Sequence, residues 1–216
     1  MSQLALFDMD DTLVRKNTAQ AYFAELYRSK RLGRRQVAHL TWILARYKLN
    51  VVDMAALTCD AARQIAGQEE AEMDEVCRLV YLRDVRPHIS RPGRQSLEAH
   101  QKSGDTCAII TASTQYIARL LAADLGIEHL LCTELEVADG RFTGQIVGGP
   151  CFGAAKVERA KTLAEQCGAT LSTAFFYTDS HSDLPLLNLV GHPRVVRPDP
   201  RLRLQAWRRG WPVLLW

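Results

Sequence analysis

The sequence predicts an α/β fold: a parallel β-sheet sandwiched by helices, with an inserted all-helical segment. Short apolar runs without polar alternation recur at residues 4–7, 106–110 and 173–177, as in strands that are buried on both faces. Helical patterns separate most of these runs. Between the first two runs, residues 17–84 contain about four helical patterns and no strand pattern, which indicates an insertion into the alternating order.

The composition is that of one globular core. The chain has 216 residues, of which 47% are hydrophobic and 24% charged, enough to bury a core. No apolar run approaches the roughly 18 residues of a membrane span, and the first residues lack a signal-peptide pattern, so we expect a cytoplasmic protein without a membrane partner. Six cysteines without a C-x-x-C pair predict reduced, mainly buried thiols.

Positive charge is concentrated at the carboxyl terminus. The net charge is +3, and six arginines but one aspartate follow residue 190. A basic tail is compatible with nucleic-acid binding. The arginines alternate with Pro, Leu and Trp at strand and helix spacing, which favours a solvated face of a folded terminus. We therefore expect no nucleic-acid partner, and a monomer or homodimer.

The first polar cluster follows the first predicted strand directly. Asp8, Asp10 and Thr12 come at the carboxyl end of residues 4–7, where open α/β sheets bind ligands. An aspartate at this position can attack phosphorus, and a second one two residues later can transfer a proton. The alternative is a solvated turn with a helix cap, because Asp and Thr favour both.

The helical insertion has predicted helices at residues 19–30, 54–65 and 69–83. A further pattern consists of Val37, Leu40, Ile43, Leu44 and Tyr47. Such an insertion is typical of a cap over a binding crevice. Its aromatic and basic residues either line a substrate pocket or serve packing and the surface; they are Tyr22, Trp42, Arg46, Tyr47 and Lys48.

The second strand also ends in polar residues. Residues 106–110 lead into Thr111, Ala112 and Ser113. The Thr111 hydroxyl and the free N–H groups of a helix start can hold a phosphoryl oxygen. The alternative is an ordinary helix N-terminus, at which we expect Ser113 to be the N-cap. Farther along, a short strand at residues 129–132 is followed by two alternating segments around Asp139 and Gly140, which predict a β-hairpin.

Lys156 follows a glycine-rich segment at the start of a predicted helix. A cation in the first turn opposes the helix dipole, so this placement is unfavourable unless an anion lies alongside. A solvated surface lysine is the alternative.

The last polar cluster follows the strand at residues 173–177. Asp179 and Asp183 are four residues apart, so both carboxylates can approach one point and bind a hard cation. His181 lies between them and is expected to be a loop residue, since Mg²⁺ does not favour imidazole. Strands at 193–197 and 212–216 are predicted at the sheet edge, with a helix at 201–209.

Together these clusters resemble the four motifs of the haloacid dehalogenase-like phosphohydrolases. The order is Asp8-x-Asp10-x-Thr12, then Thr111, then Lys156, then Asp179-x-x-x-Asp183. The helical insertion, the hairpin segment and the Gly-Trp-Pro ending look most like the phosphoserine-phosphatase-like branch. This resemblance implies a Rossmann-like core at residues 1–16 and 87–216 and a helical cap at 17–86.

The resemblance also implies a role for each matching residue. Asp8 is the nucleophile and Asp10 the general acid and base, while Lys156 completes the catalytic set. Thr111, Ala112 and Lys156 hold the phosphoryl group. Mg²⁺ is bound by Asp8, the backbone carbonyl of Asp10 and Asp179, with Asp183 and Thr12 in support. The implied activity is Mg²⁺-dependent hydrolysis of a small phosphorylated metabolite through an aspartyl phosphate.

Two other classes remain open. A phosphomutase or other phosphotransferase uses the same two aspartates, and a non-catalytic binding protein would use the Arg-rich terminus. A dehalogenase is disfavoured, because that reaction does not require the acid at Asp10. Where phosphoserine phosphatases have a carboxylate for the substrate amine, this chain has Arg15, Lys16 and Asn17. We therefore expect phosphoserine to be a poor substrate, and histidinol phosphate to be accepted only if Glu25 reaches its amine.

Overall fold

The computed structural model describes residues 3–31, 33 and 54–216 of the chain. This part forms a seven-stranded β-sheet between layers of helices. The strands are β1 (Leu4–Phe7), β2 (Thr106–Thr114), β3 (His129–Ala138), β4 (Arg141–Val147), β5 (Phe175–Thr178), β6 (His192–Val196) and β7 (Val213–Leu214). The helices are α1 (Thr18–Arg28), α2 (Met54–Gln64), α3 (Glu70–Val80), α4 (Arg91–Lys102), α5 (Gln115–Leu125), α6 (Ala154–Gln166), α7 (Leu184–Leu187) and α8 (Pro200–Arg209).

The sheet has the strand order β4-β3-β2-β1-β5-β6-β7. All neighbouring strands are parallel except β3 and β4, which form an antiparallel hairpin. The hairpin turn has positive φ angles of 52° at Asp139 and 73° at Gly140, as expected for a two-residue turn of the primed type. The predicted α/β fold with a parallel sheet is therefore confirmed.

The first strand shows why both faces of the sheet are covered. Its four residues are fully buried, and alternate side chains point to opposite faces. Ala5 and Phe7 belong to an apolar cluster with residues of α4 and α5, whereas Leu4 and Leu6 belong to a second cluster with residues of α6 and α8. An uninterrupted apolar run is what such a two-sided position requires.

Helix ends follow local sequence signals. The side chain of Asn17 accepts a hydrogen bond from the Gln20 N–H at the start of α1, and Ser90 does the same for Gly93 at the start of α4. α5 ends at Gly126 and α8 at Gly210, both left-handed. These caps satisfy backbone groups that a helix leaves unpaired at its ends.

Helices α1, α2 and α3 lie in the chain between β1 and β2. The connection between α2 and α3 pairs with the β3–β4 hairpin: the Gly67 N–H donates to the Phe142 carbonyl at 2.8 Å, and the Phe142 N–H donates to the Gln68 carbonyl at 3.0 Å. Arg141 also binds Glu69 at 2.7 Å. The hairpin therefore fixes this connection to the sheet. The proposed division of the chain at residues 16/17 and 86/87 stays a prediction.

Several local predictions need correction. β2 continues through Thr114, which is the N-cap of α5, so Ser113 is not the cap. The expected short strand at 129–132 is the first part of the ten-residue strand β3. β6 is an interior strand between β5 and β7, because β7 covers it. The predicted helix at 69–83 ends at Val80 and continues as a π-helical turn, Tyr81–Val85.

Part of the predicted helical segment lies outside the described residues, including the pattern from Val37 to Tyr47 and the candidate pocket residues Trp42, Arg46 and Lys48. Tyr22 is half-buried and packs against the core. All six cysteines are free thiols, and four of them are buried. Within the described ranges, no helix is both long and apolar enough to cross a bilayer.

One glycine permits close packing of two connections. Gly191, just before β6, has its N–H bonded to the Leu171 carbonyl. A Cβ atom at Gly191 would lie 2.0 Å from the carbonyl oxygen of Ser172. Any side chain here therefore forces the backbone apart.

We expect Gly191→Ala to lower the free energy of unfolding by about 3 kcal/mol or more, because it overpacks backbone against backbone. Gly104→Ala is the matched control. Its φ is +76° and a Cβ there meets no atom within 4 Å, so only the left-handed strain remains, about 1 kcal/mol. Urea unfolding of both variants measures the difference, and equal losses would contradict the steric explanation.

Candidate active site

Three predicted site segments meet at the carboxyl ends of neighbouring strands. β1 lies between β2 and β5 in the sheet, and the three strands are parallel. Asp8 follows β1, Thr111 lies in the last part of β2, and Asp179 follows β5. Because parallel strands end at the same edge of a sheet, their order brings these residues to one crevice.

Lys156 joins this crevice from the first turn of α6. Its Nζ lies 3.0 Å from Oδ1 of Asp8 and 2.9 Å from Oδ2 of Asp183. Its side chain is only 4% exposed, so the alternative of a solvated surface lysine is wrong. Thr178 donates to the same Oδ2 of Asp183 at 2.6 Å. The unfavourable position at a helix start is thus offset by two anionic partners.

The crevice contains more negative charge than one lysine neutralises. Burial raises the pKa of Asp8 to about 7, although Lys156 acts to lower it. The pKa of Asp179 is raised well above its ordinary value, first by burial and then by the nearby Asp8. Burial alone would lower the pKa of Lys156, but Asp183 and Asp8 outweigh burial and raise it. Asp8 and Asp183 therefore share the ammonium group of Lys156, and Asp179 adds a further carboxyl group next to Asp8.

A hard divalent cation fits this donor set. Within the described residues, no three His, Cys, Asp or Glu side chains form a metal-binding group. Mg²⁺ does not require such a group, because it binds one or two carboxylates and keeps several waters. Asp8 and Asp179 supply two carboxylates. Oδ1 of Asp183 is buried without a hydrogen-bond partner in the described part of the chain, and such an oxygen is an acceptor for a metal-bound water.

The loop that carries Asp179 is held from two sides. Thr12 donates its hydroxyl to Oδ1 of Asp179 at 3.4 Å. The backbone N–H of Asp199 donates to the Asp179 carbonyl at 2.9 Å, while Oδ2 of Asp199 accepts from the His181 N–H at 2.6 Å. His181 therefore contributes a backbone contact from a short 3₁₀ turn. The supporting roles of Thr12 and Asp183 stay predictions; the observed partners of Asp183 are Lys156 and Thr178.

Asp10 has a different environment from Asp8. Its Oδ1 accepts from the Thr18 N–H at 2.6 Å, and its Oδ2 accepts from the Ser113 hydroxyl at 2.7 Å and the Thr18 hydroxyl at 3.1 Å. Burial raises the pKa of Asp10, and these hydrogen bonds act in the opposite direction. A carboxyl group in this setting can be protonated before it meets a leaving group.

The end of β2 is partly occupied by its own hydrogen bonds. The buried Thr111 accepts at Oγ1 from the Ser113 N–H at 3.1 Å. We had expected the N–H groups at this helix start to be free for a phosphoryl oxygen, and this one is not. The hydroxyl of Thr111 keeps its own proton for donation. The carbonyl of Ala112 accepts from the Thr133 hydroxyl at 2.8 Å, which fixes the peptide. Phosphate binding by Thr111 and Ala112 stays a prediction.

Sequence reasoning did not find the partners of the acidic residues. Thr18, Ser113, Thr178 and Asp199 bind the predicted site or its loops. Ser113 had been interpreted only as a helix N-cap candidate, because the chain separates it from Asp10 by 103 positions. No local pattern reports such a contact.

An ion-pair cluster surrounds the buried Glu25 on α1. Glu25 pairs with Arg83 and, at 3.2 Å, with Arg28. Arg28 also binds Asp84 at 2.9 Å, and Lys16 binds Asp84 at 3.1 Å. The first acid after the Asp10 region is therefore already neutralised by two guanidinium groups. Such a carboxylate is a poor free partner for a substrate ammonium.

Comparison with known proteins defines the class to which this fold and crevice belong. Residues 5–188 match the profile of the haloacid dehalogenase-like hydrolases. The chain belongs to the haloacid dehalogenase-like hydrolase family. It is accordingly an enzyme of the haloacid dehalogenase-like phosphatase type, as its sequence motifs predicted. The alternative of a non-catalytic binding protein is not retained.

Its relatives include named phosphatases. The chain is 31% identical to a histidinol-phosphatase of Neisseria meningitidis, over 99% of both chains. It is also 31% identical to a phosphoserine phosphatase of Mycobacterium tuberculosis, over 99% of this chain and 70% of the relative. A Bordetella pertussis protein of unknown function superposes with a TM-score of 0.88 at 28% identity, over 100% of this chain and 99% of its own.

A phosphoserine phosphatase solved as a phospho-aspartyl intermediate analogue superposes with a TM-score of 0.74. The alignment covers 99% of this chain and 93% of that one at 16% identity. At this identity the likeness concerns the fold.

We expect Lys156→Met to abolish turnover and to lower the free energy of unfolding by about 3 kcal/mol or more, because two buried carboxylates lose their common cation. Lys161→Met is the matched control on the same helix. Lys161 pairs with Glu158 at 3.0 Å and its side chain is 49% exposed, so its loss costs about 1 kcal/mol or less. Chemical unfolding and phosphatase assays on both variants test this, and similar stability losses would contradict the buried ion-pair arrangement.

Proposed function

We propose that this chain is a Mg²⁺-dependent phosphomonoesterase that transfers the phosphoryl group of a small phosphorylated metabolite to Asp8 and then to water. The observation that carries the proposal is the pairing of a buried Asp8 with the Lys156 ammonium at 3.0 Å, next to a separately held Asp10. One carboxylate has a cationic partner, and the other has neutral hydroxyl partners. The two are thus suited to different steps of one reaction.

In the first half-reaction, the Asp8 carboxylate attacks phosphorus and an aspartyl phosphate forms. The bond from phosphorus to the leaving oxygen breaks, and Asp10 gives its proton to that oxygen. Lys156 keeps Asp8 ionised and offsets charge on the phosphoryl oxygens. Thr111 and the peptide at Ala112 hold the same oxygens. Asp8, the Asp10 carbonyl and Asp179 would hold Mg²⁺, which when bound would further stabilise that negative charge.

In the second half-reaction, Asp10 is the base. It takes a proton from a water molecule that attacks phosphorus, so that inorganic phosphate leaves and Asp8 returns to its carboxylate form. Thr12 and Asp183 act on Asp179 and Lys156 and keep the charged groups in place. Release of inorganic phosphate in water distinguishes this reaction from the phosphotransferase alternative, in which the phosphoryl group returns to an organic acceptor.

We expect Asp8→Asn to abolish turnover, because an amide is not a nucleophile, while the folded shape is retained. Phosphate release from p-nitrophenyl phosphate and far-UV circular dichroism measure the two properties. Asp11→Asn is the matched control, since Asp11 lies in the same turn but has no role in the proposed chemistry. Turnover of the Asp8 variant near that of the parent protein would overturn the assignment.

We expect a chelator to silence the enzyme, Mg²⁺ to restore it, and Ca²⁺ to fail, because the larger ion relaxes the octahedral geometry that Mg²⁺ demands. The measurement is phosphate release after dialysis against EDTA and addition of each ion. A thermal unfolding scan gives a second readout, because an ion bound between Asp8 and Asp179 raises the unfolding temperature. Full activity in excess chelator would refute the metal requirement.

The relatives named above act on substrates that carry an amine, phosphoserine and histidinol phosphate. In this chain Glu25 is neutralised by Arg28 and Arg83, and the loss of one member of a desolvated charge pair costs about 2–5 kcal/mol. We therefore expect a lower kcat/KM for phosphoserine than for glycerol phosphate or phosphosugars.

The kcat/KM for histidinol phosphate should be measured beside these substrates, because its amine also needs a carboxylate partner. Glu25→Gln should leave the order of the substrates by kcat/KM unchanged if the ion pairs of Glu25 with the two arginines persist during turnover. Phosphoserine or histidinol phosphate at the top of the ranking, with a loss of that preference in Glu25→Gln, would show that Glu25 exchanges its arginine partners for the substrate amine.

A further inference from the structure

Two hydroxyl groups from distant parts of the chain meet at Asp10. Ser113 lies at the end of β2, and Thr18 begins α1, the first helix after the Asp8 loop. Both hydroxyls contact the same oxygen, Oδ2, at 2.7 Å and 3.1 Å. They also lie 3.0 Å from each other. Asp10, Ser113 and Thr18 therefore form a hydrogen-bonded network, and Asp8 is not part of it.

The usual structural role of a serine at this position is absent. Ser113 precedes the helix α5, but the N-cap is Thr114. The Ser113 hydroxyl donates to Asp10 instead. The backbone of Ser113 is fixed separately, because its N–H donates to Thr111 Oγ1 at 3.1 Å. The hydroxyl is thus available for Asp10 without a role in the helix start.

We propose that Ser113 is a positioning residue for Asp10, and that its hydroxyl, together with that of Thr18, stabilises the negative charge that Asp10 acquires when it protonates the leaving group. This inference rests on the proposed function. In that step the Asp10 O–H bond breaks and its proton goes to the leaving oxygen, which keeps the electron pair of the broken P–O bond. Asp10 is left as a carboxylate, and hydrogen bonds to a charged acceptor are stronger than those to a neutral one.

Hydroxyl groups suit a carboxyl group that changes its protonation state twice in each cycle. A hydroxyl both donates and accepts, and its hydrogen rotates. Either oxygen of the Ser113–Thr18 pair can be the donor to the other, so the pair can rearrange as Asp10 loses and regains its proton. The Thr18 N–H at Oδ1 only donates. It keeps the carboxyl group in place in both states.

The experiment compares two leaving groups. Glycerol phosphate releases an alkoxide that needs a proton, whereas p-nitrophenolate scarcely needs one. For Ser113→Ala we expect kcat on glycerol phosphate to fall about tenfold or more, with a much smaller loss on p-nitrophenyl phosphate and little change in KM. Ser113→Thr retains the hydroxyl and should restore most of the lost rate. Thr18→Val should give the same dependence on the leaving group, and Thr18→Ser should not.

Thr114→Ala is the matched control, because Thr114 lies in the same turn and its side chain makes no capping bond. It should keep the parental ratio of the two rates. Equal losses of Ser113→Ala on both substrates, or the same ratio in Thr114→Ala, would overturn the positioning role. If Ser113→Ala does not fold, the Thr18→Val and Thr18→Ser pair decides by the same criterion.

A failure of the proposed function has a different signature. If the parent protein hydrolyses neither substrate in Mg²⁺, or if Asp10→Asn loses equally on both, the assignment of the acid itself is wrong. If Asp10→Asn shows the leaving-group dependence and the Ser113 and Thr18 variants do not, only the positioning role is wrong.

Discussion

The structure of the site depends on one constraint: two buried carboxylates, those of Asp8 and Asp183, share the buried ammonium group of Lys156. Lys156 contacts Asp8 and Asp183 directly, and the pKa of Asp179 is raised first by burial and then by the nearby charge of Asp8. Like charges at close range in a medium of low dielectric are unfavourable. The fold tolerates them because the sheet and helices are assembled by two apolar clusters, one on each face.

The strand order of the sheet explains how residues from distant parts of the chain meet in this crevice. β1 is flanked by β2 and β5, so the chain must leave the first strand, pass through the four described helices α1 to α4 before β2 pairs with it, and return again as β5. The number of residues between the motifs therefore says little about their distance in space. The position of a motif directly after a strand is informative, because each parallel strand brings its first loop residue to the same edge of the sheet.

The parts of the molecule that sequence reasoning predicts well are those with a local cause. The apolar run of β1 and the Asp139-Gly140 turn depend on neighbours within a few residues. The burial of Lys156 does not. A lysine at a helix start looks the same in sequence whether it faces water or two carboxylates. β6 was misplaced at the edge for the same reason, because the pattern of a strand does not show which strand lies beside it in the sheet, and β7 pairs with β6 on its outer side.

Asp8 and Asp10 show how two identical side chains, two residues apart, become suited to different chemistry. Burial raises the pKa of both. At Asp8 the opposing influence is the positive charge of Lys156, which favours the carboxylate that a nucleophile must be. At Asp10 it is a set of neutral donors from Ser113 and Thr18, which stabilise the carboxylate without forbidding the acid. Since those donors come from β2 and α1, Asp10, the proposed proton-transfer residue, is tied to the helix that follows β1, whereas Asp8, the proposed nucleophile, is tied to α6. The two proposed roles thus depend on different elements of the fold.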